Sequence, residues 1–286
     1  MRTITVTVPP PAAQDLSTRY LLTMSIAPPV LLVDVDASIL SSYGKHGTGG
    51  PRNELQALVT LKGGKCAPEV APAILALHEA VLTAGGDFRV TELHRDLAVQ
   101  TALRHRYDTW VATGKPTGAA YNPATMKNAF VATPGRSGHN AGRSIDIDTS
   151  SLKFPGVPAD QQLDQLWAIA KPLGWSPIIK APTEGASERW HFDFHGELQG
   201  VMNRLGYEQW ALCGAILVGH GDLGGFDAIL QALLCRAGFD IGAIDGAAGA
   251  KTIAGLTSAL PGINAVATVH TQDIAVFPRL LALPAR

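Results

Sequence analysis

The sequence predicts an α+β fold: a small antiparallel sheet with flanking helices, followed by a small three-helix domain at the C-terminal end. Three observations carry this. Apolar residues recur at helical spacing over residues 69–84, from about Asp96, and over 160–173. Residues 144–148 alternate strictly between polar and apolar, the pattern of a half-buried strand. After about Val201 the composition shifts to Ala, Gly and Leu and the charges thin out. The chain has 286 residues, 46% hydrophobic and 16% charged, so it can bury a sizeable core and lacks the polar signature of a disordered protein. That length allows one or two domains at roughly 100–200 residues each.

The elements follow in order. Residues 1–50 are rich in Pro and Gly at both ends and read as an irregular lead-in, with a short strand expected over residues 30–33. Over residues 69–84, Val70, Ile74, Leu75, Leu77, Val81 and Leu82 follow helical spacing, and Gly85-Gly86 supplies the stop. A strand over 88–91 precedes a second helix with Leu97, Leu103, Tyr107 and Trp110 on one face and Gly114 beyond its end. Residues 115–138 form a long loop, and loops of that length are usually functional or mobile. In the strand at 144–148, Ser144, Asp146 and Asp148 share one face, and Ile145 and Ile147 the other. A helix over 160–173, with Leu163, Leu166, Trp167 and Ala170 inward, ends at Gly174. Runs at 175–180 and 188–194 flank a turn-rich segment and suggest a hairpin. In the second run Trp190, Phe192 and Phe194 lie on one face, read as a core face, and His191, Asp193 and His195 on the other. Residues 223–237 and 247–260 read as short helices, and 261–286 as a packed or extended tail.

Several classes of function drop out. Lys+Arg minus Asp+Glu is 23 − 24 = −1, which leaves no large basic field for nucleic acid or anionic lipid. The longest uncharged apolar stretch, residues 210–219, has ten residues and two glycines, short of the roughly 20 a spanning helix needs. The N-terminus, with Thr alternating with Ile or Val and then Pro9-Pro10-Pro11, reads as no standard export signal. The three cysteines, Cys66, Cys213 and Cys235, are too few for a disulfide framework, and read as buried or free thiols with a Cys213–Cys235 bridge as the alternative.

The chemistry concentrates in Ser137-Gly138-His139-Asn140-Ala141-Gly142-Arg143-Ser144-Ile145-Asp146 and Glu188-Arg189-Trp190-His191. His139, Asp146 and His191 are two imidazoles and a carboxylate, a set suited to one four-coordinate catalytic zinc whose last position is water. Asp146 and His191 lie on strands whose polar faces can converge, and His139 enters from a glycine-flanked loop. Glu188 begins the strand that presents His191 and offers a base for the water proton.

The pattern S-x-H-x-x-G-x-(A/S)-x-D with a later E-x-W-H resembles the zinc D-Ala-D-Ala peptidases of bacterial cell walls, the group that contains the vancomycin-resistance carboxypeptidases and several phage endolysins. The resemblance spans roughly residues 55–195. It implies His139, Asp146 and His191 as zinc ligands, Glu188 as general base and acid, and Trp190 beside the metal at the substrate. The family's upstream G-Y-R-S-x-x-x-Q is met only in part by Leu93-His94-Arg95-Asp96 and Gln100, which makes Arg95 the oxyanion or substrate contact, with a plain surface ion pair as the alternative. Gln100 and Ser137 are further expected substrate contacts. Asp148 and Asp193 read either as orienters of the ligands or as solvated carboxylates.

A second resemblance covers Leu230-Gln231-x-x-Leu234, Gly238-Phe239 and Ile244-Asp245-Gly246-x-x-Gly249-x-x-Thr252, similar to the three-helix peptidoglycan-binding domain of many wall hydrolases. Locally, Asp245 is expected to cap a helix start, Gly246 to take positive φ and Gly249 to permit close packing. The expected organisation is a lead-in over 1–50, a zinc peptidase domain over 51–200, and a helical peptidoglycan-binding-like domain with its tail over 201–286. Together the resemblances imply a monomeric zinc peptidase acting on peptidoglycan next to a D-amino acid, on the D,D-carboxypeptidase side. An endolysin-type endopeptidase, a toxin delivered to rivals and a non-catalytic zinc-stabilised wall binder are the alternatives. Such an enzyme, made without a readable signal, is expected to reach the wall by lysis or a dedicated secretion route.

Overall fold

The structure is a computed structural model that describes residues 26–36, 39–40, 64–181, 188–219 and 223–286. Most of the expected lead-in therefore lies outside the described residues, as does the turn at 182–187. Near the start, β1 (Val33–Asp34) and β2 (Lys65–Cys66) pair antiparallel. Helix α1 (Val70–Thr83) buries Val70, Ile74, Leu77 and Val81, one every three or four residues. Leu75 and Leu82, expected inward, are 43% and 49% exposed, so the buried stripe is narrower than the apolar pattern. Gly85, at φ 76, ends the helix in the left-handed conformation that suits glycine.

A four-stranded antiparallel sheet follows in the order β3 (Val90–Glu92), β4 (Ser144–Ile147), β6 (His191–Phe194), β5 (Trp175–Pro177). Its period-2 alternation divides the chemistry from the core. Val90, Ile145, Ile147 and Phe192 join one hydrophobic cluster with α1 and with Leu166 and Trp167 of α3 (Gln162–Ala170), whose indole meets Phe192 edge-on at 6.2 Å. Asp146 and His191 stay out of that cluster. β5 and β6 pair with Trp175 opposite Phe194, the expected hairpin. Trp190 departs from expectation: it precedes β6 and is only half-buried, so Phe192 takes the core position and Trp190 does not.

Helix α2 (Leu97–Ala112) also departs from its pattern. Its buried residues are Val99 and Gln100, not the expected row from Leu97 to Trp110. The aromatic row is covered by the loop that follows it: Tyr107 meets Phe130 edge-on at 5.7 Å, and the Trp110 indole N–H donates to the Pro116 carbonyl at 3.0 Å.

The C-terminal part holds α4 (Gln199–Leu205), α5 (Tyr207–Leu217), α6 (Gly225–Arg236), α7 (Ala250–Ala259), α8 (Ala265–Thr271) and α9 (Val276–Leu281) around a second hydrophobic cluster. α6 and α7 are the two expected helices. α5 is buried all round from Trp210 to Leu217, which is why it shows no amphipathic period. The tail is packed rather than extended: Phe277 stacks on Phe226 at 5.1 Å, and the Arg236 guanidinium donates to the Leu281 and Leu283 carbonyls.

In the loop before α7, Gly246 takes φ 78 as expected. Two local readings are corrected. Asp245 accepts from Gln231 Nε2 and the Ala247 N–H, closing a turn rather than capping α7. Gly249 has open space where a Cβ would be, whereas a Cβ on Gly255 would come 2.8 Å from Ile241. All three cysteines are free and buried, so the Cys213–Cys235 bridge is not formed. Burial pushes the Cys66 thiol up to about 12, which removes it as a nucleophile at neutral pH. Among the described residues no helix is long and apolar enough to cross a membrane.

Candidate active site

The β4–β6 register sets Asp146 directly opposite His191. His139 reaches them from a tight loop over residues 137–142. That loop turns because the Asn140 N–H bonds the Ser137 carbonyl and because Gly142, at φ 64, lets the chain double back. Asn140 then ties the loop down, donating from its amide to the Arg95 carbonyl at 2.7 Å and accepting from the Gly135 N–H at 3.1 Å.

One ligand atom from each of His139, Asp146 and His191 lies within 4.8 Å of the others. The tautomers follow from the outer partners. The Leu93 carbonyl can only accept, so His139 Nδ1–H donates to it at 2.7 Å and Nε2 turns a lone pair towards Asp146 Oδ1 at 3.2 Å. On His191, Nε2–H donates to Asp193 Oδ1 at 3.0 Å, and Nδ1 faces Asp146 Oδ1 at 2.9 Å. Two imidazole lone pairs and a carboxylate oxygen thus converge, which is repulsive unless a proton or a metal ion sits among them. Burial pushes the Asp146 carboxyl up, but the facing His139 and His191 rings outweigh it and hold the carboxyl well below the usual range. Burial likewise opposes charge on His191, yet Asp193 and Asp146 prevail and hold its pKa well above the ordinary value. The donor set fits one zinc ion with the fourth tetrahedral position free, and each ring has the outer acceptor that ligating histidines need.

The two carboxylates that the sequence left together are separated by what they touch. Asp193 is 2% exposed and accepts from both His191 and the Ser144 hydroxyl. Asp148 instead accepts from the N–H and hydroxyl of Ser150 and closes a turn.

These groups open on a cavity of about 540 Å³, whose lining includes Glu92, Arg95, Ser137, Glu188, Trp190 and Tyr207. Glu188, expected as the base, sits at φ 68, a left-handed conformation that costs a non-glycine residue about 1–2 kcal/mol. Its carbonyl accepts from the His191 N–H at 3.0 Å, so the strained turn leads straight into β6. Backbone strain of this kind clusters at functional sites.

Arg95 lines the cavity as an ion pair with Glu92, Nε to Oε1 at 2.5 Å and Nη2 to Oε2 at 2.8 Å, and also donates from Nη1 to Gln100 at 2.8 Å. The side chains of the pair are only 14% and 12% exposed, so this is not the surface ion pair considered from sequence. Three of the five guanidinium N–H groups are committed and two remain. Burial raises the Glu92 carboxyl, but Arg95 more than offsets it and keeps the acid ionised. Gln100, expected at the substrate, is fully buried; it accepts from Arg95 and donates to the Ala132 carbonyl at 2.7 Å, so it positions Arg95. Ser137 is at the cavity and accepts from the His139 N–H at 3.3 Å, which leaves its own hydroxyl hydrogen free to donate. His195 hydrogen-bonds Gln199 and meets Trp210 edge-on at 5.0 Å, a packing role.

Sequence reasoning missed Glu92, Lys127, Arg106 and Tyr207. The i, i+3 spacing of Glu92 and Arg95 was a readable signal for the first. Tyr207 had none, because it lies beyond the expected domain boundary at residue 200, yet its hydroxyl accepts from the Gly138 N–H at 3.4 Å in the loop that carries His139.

Residues 64–197 match the family model described as VanY, D-alanyl-D-alanine carboxypeptidase, just under half of the chain. No curated protein matches the chain in sequence. Among solved structures, a mutant of the vancomycin-resistance D,D-pentapeptidase VanY from a VanB-type cassette, in complex with Zn(II), is 16% identical; the alignment covers 62% of this chain and 92% of that one, with a TM-score of 0.35. The LdcB LD-carboxypeptidase is 18% identical over 63% of this chain and 76% of that one, with a TM-score of 0.37. Residues 64–197 are thus a segment similar to the VanY D-alanyl-D-alanine carboxypeptidases, and that match marks the protein as a zinc metallopeptidase that hydrolyses peptidoglycan.

Proposed function

We propose that the protein hydrolyses a peptidoglycan stem-peptide bond next to a D-amino acid, in the manner of a D,D-carboxypeptidase, with His139, Asp146 and His191 as its zinc ligands. The observation that carries this reading is the convergence of His139 Nε2, His191 Nδ1 and Asp146 Oδ1 on a cavity that Glu188 and Arg95 also line. A zinc ion held there supplies Lewis acidity, polarising the scissile carbonyl and acidifying the attacking water towards a pKa of about 7. Glu188 takes the proton from that water and returns it to the leaving amine. The two uncommitted N–H groups of Arg95 stabilise the oxyanion, and the Glu92–Gln100 clamp fixes them in place beforehand. The Ser137 hydroxyl donates to the substrate, and Trp190 packs against it.

Residues 201–286 then serve as a wall-binding module, supported by the Asp-Gly-x-x-Gly-x-x-Thr pattern, and retention on the polymer raises the local substrate concentration. The enzyme acts outside the cytoplasm, on the wall.

Mass spectrometry of muropeptides incubated with the zinc-loaded protein tests this. Loss of a single terminal D-Ala is expected; separated crosslinks or released stems indicate an endopeptidase, and untouched muropeptides with bound zinc indicate a wall binder. Glu188→Gln should keep its zinc and lose at least about 100-fold in rate, the contribution of a positioned base. Full activity in that variant would remove Glu188 from the mechanism.

A further inference from the structure

We propose that Lys127 pairs with the free α-carboxylate of the substrate and so sets the preference of the cavity for a free-acid C-terminus over an amidated one. This rests on the carboxypeptidase reading above. Three cations line the cavity, Arg95, Arg106 and Lys127. Arg95 is committed to Glu92 and Gln100, and its two remaining N–H groups are those assigned above to the oxyanion. Arg106 donates to the backbone carbonyls of Pro123 and Met126, which binds the 121–127 segment to α2. The Tyr121 hydroxyl donates to the same Met126 carbonyl at 3.1 Å, and the Lys127 N–H donates to the Arg106 carbonyl at 3.2 Å. The backbone of Lys127 is therefore fixed at the cavity wall, while among the described residues nothing accepts from its ammonium.

An ammonium so placed lacks a counter-ion. Burial lowers the Lys127 pKa and the Arg95 charge adds to that, with Glu92 and Glu188 only partly compensating. An arriving carboxylate supplies what is missing. The converse holds for the substrate. Glu188 also lines the cavity, so a terminal carboxylate is accommodated best beside a cation that no other group engages. A C-terminally amidated peptide brings no such charge and has no use for Lys127. The ammonium thus separates free-acid substrates from amides by charge rather than by fit.

The test compares kcat/KM of the zinc-loaded full-length enzyme on an acylated D-Ala-D-Ala peptide and on its C-terminal amide. The wild type should favour the free acid by roughly 10- to 100-fold, the range of a charge-assisted hydrogen bond. Lys127→Met should erase that preference by slowing the acid alone, and Lys127→Arg should retain part of it. Zinc content and melting temperature serve as folding checks. An acid-to-amide ratio unchanged in Lys127→Met, with an active wild type, overturns the role of Lys127 and leaves the carboxypeptidase reading standing. A wild type that releases D-Ala from neither peptide overturns both.

Discussion

Asp193→Ala should weaken zinc binding by 10- to 100-fold although Asp193 is not itself a proposed ligand. Asp193 Oδ1 accepts from His191 Nε2 at 3.0 Å, and that bond leaves Nδ1 as the nitrogen turned to the metal position. Deleting the carboxylate frees the ring to rotate and leaves two donors, His191 Nε2–H and the Ser144 hydroxyl, without their acceptor in a site where Asp193 is 2% exposed. Outer partners of ligating histidines are typically worth 10- to 100-fold in metal affinity, about 1.4–2.7 kcal/mol. Asp193→Asn keeps the volume and a carbonyl oxygen able to accept, so it should lose less than about tenfold. Asp148→Ala, in the turn that follows β4, should leave affinity unchanged, because Asp148 accepts from Ser150 and closes that turn. Competition with a chromophoric chelator reads the zinc Kd, and circular dichroism checks the fold. A folded Asp193→Ala protein that binds zinc within about twofold of wild type would show that the orientation of His191 does not depend on this contact.

Zinc binding should also weaken in acid. The ring of His191 holds its proton well above the ordinary pKa in the metal-free protein, and a ligating ring must be neutral, so each pH unit below that value costs up to about tenfold in affinity. The stability of the metal-free protein runs the other way: a raised folded pKa contributes below the unfolded value of about 6.5 and is lost as pH rises through the folded one. The gain in melting temperature on adding zinc should therefore grow from pH 5.5 to 8, and a flat or reversed trend contradicts it. Gly138→Ala places a Cβ against the Ser144 hydroxyl, 2.6 Å from Asp193 Oδ1 and 3.0 Å from Trp210. Overpacking of this kind costs about 1–3 kcal/mol and should displace the His139 loop; urea denaturation together with zinc content checks it, and a variant with full zinc and wild-type stability refutes the contact.

The parts legible in the sequence are those fixed by local pattern. Strand β4 alternates because one face is core and the other lines the site, and β6 alternates in the same way, so Asp146 and His191 each fall on a polar face that the register sets opposite the other. Helix α1 is legible for the same reason: the core it faces imposes a stripe. What was not legible depends on partners far away in sequence. The buried face of α2 was misplaced because its aromatic row is covered by residues 116–130 rather than by the sheet. α5 has apolar residues all round and therefore no period. α8 and α9 have seven and six residues, too short for propensity alone to hold, and form by packing against α6 and α7.

The largest illegible feature is the dependence of the metal loop on the C-terminal helices. A Cβ on Gly214 of α5 would lie 2.5 Å from Ala141 Cβ, so glycine there lets α5 sit directly beneath the loop that carries His139. Tyr207 on the same helix lines the cavity and accepts from the Gly138 N–H, and Trp210 packs under Gly138 itself. Arg143, at the end of the loop, pairs with Glu69 and donates to the His195 carbonyl at 3.3 Å, while Glu69 also accepts from the Glu197 N–H at 2.7 Å as the chain turns towards α4. The helices proposed to hold the wall are thus also the floor on which His139, one of the proposed zinc ligands, rests. A tether joined by a flexible linker raises only local substrate concentration. A wall-binding module packed against the ligand loop, as proposed for residues 201–286, would in addition fix the position of the catalytic site relative to the polymer, and so limit which bond along the wall the cavity can reach.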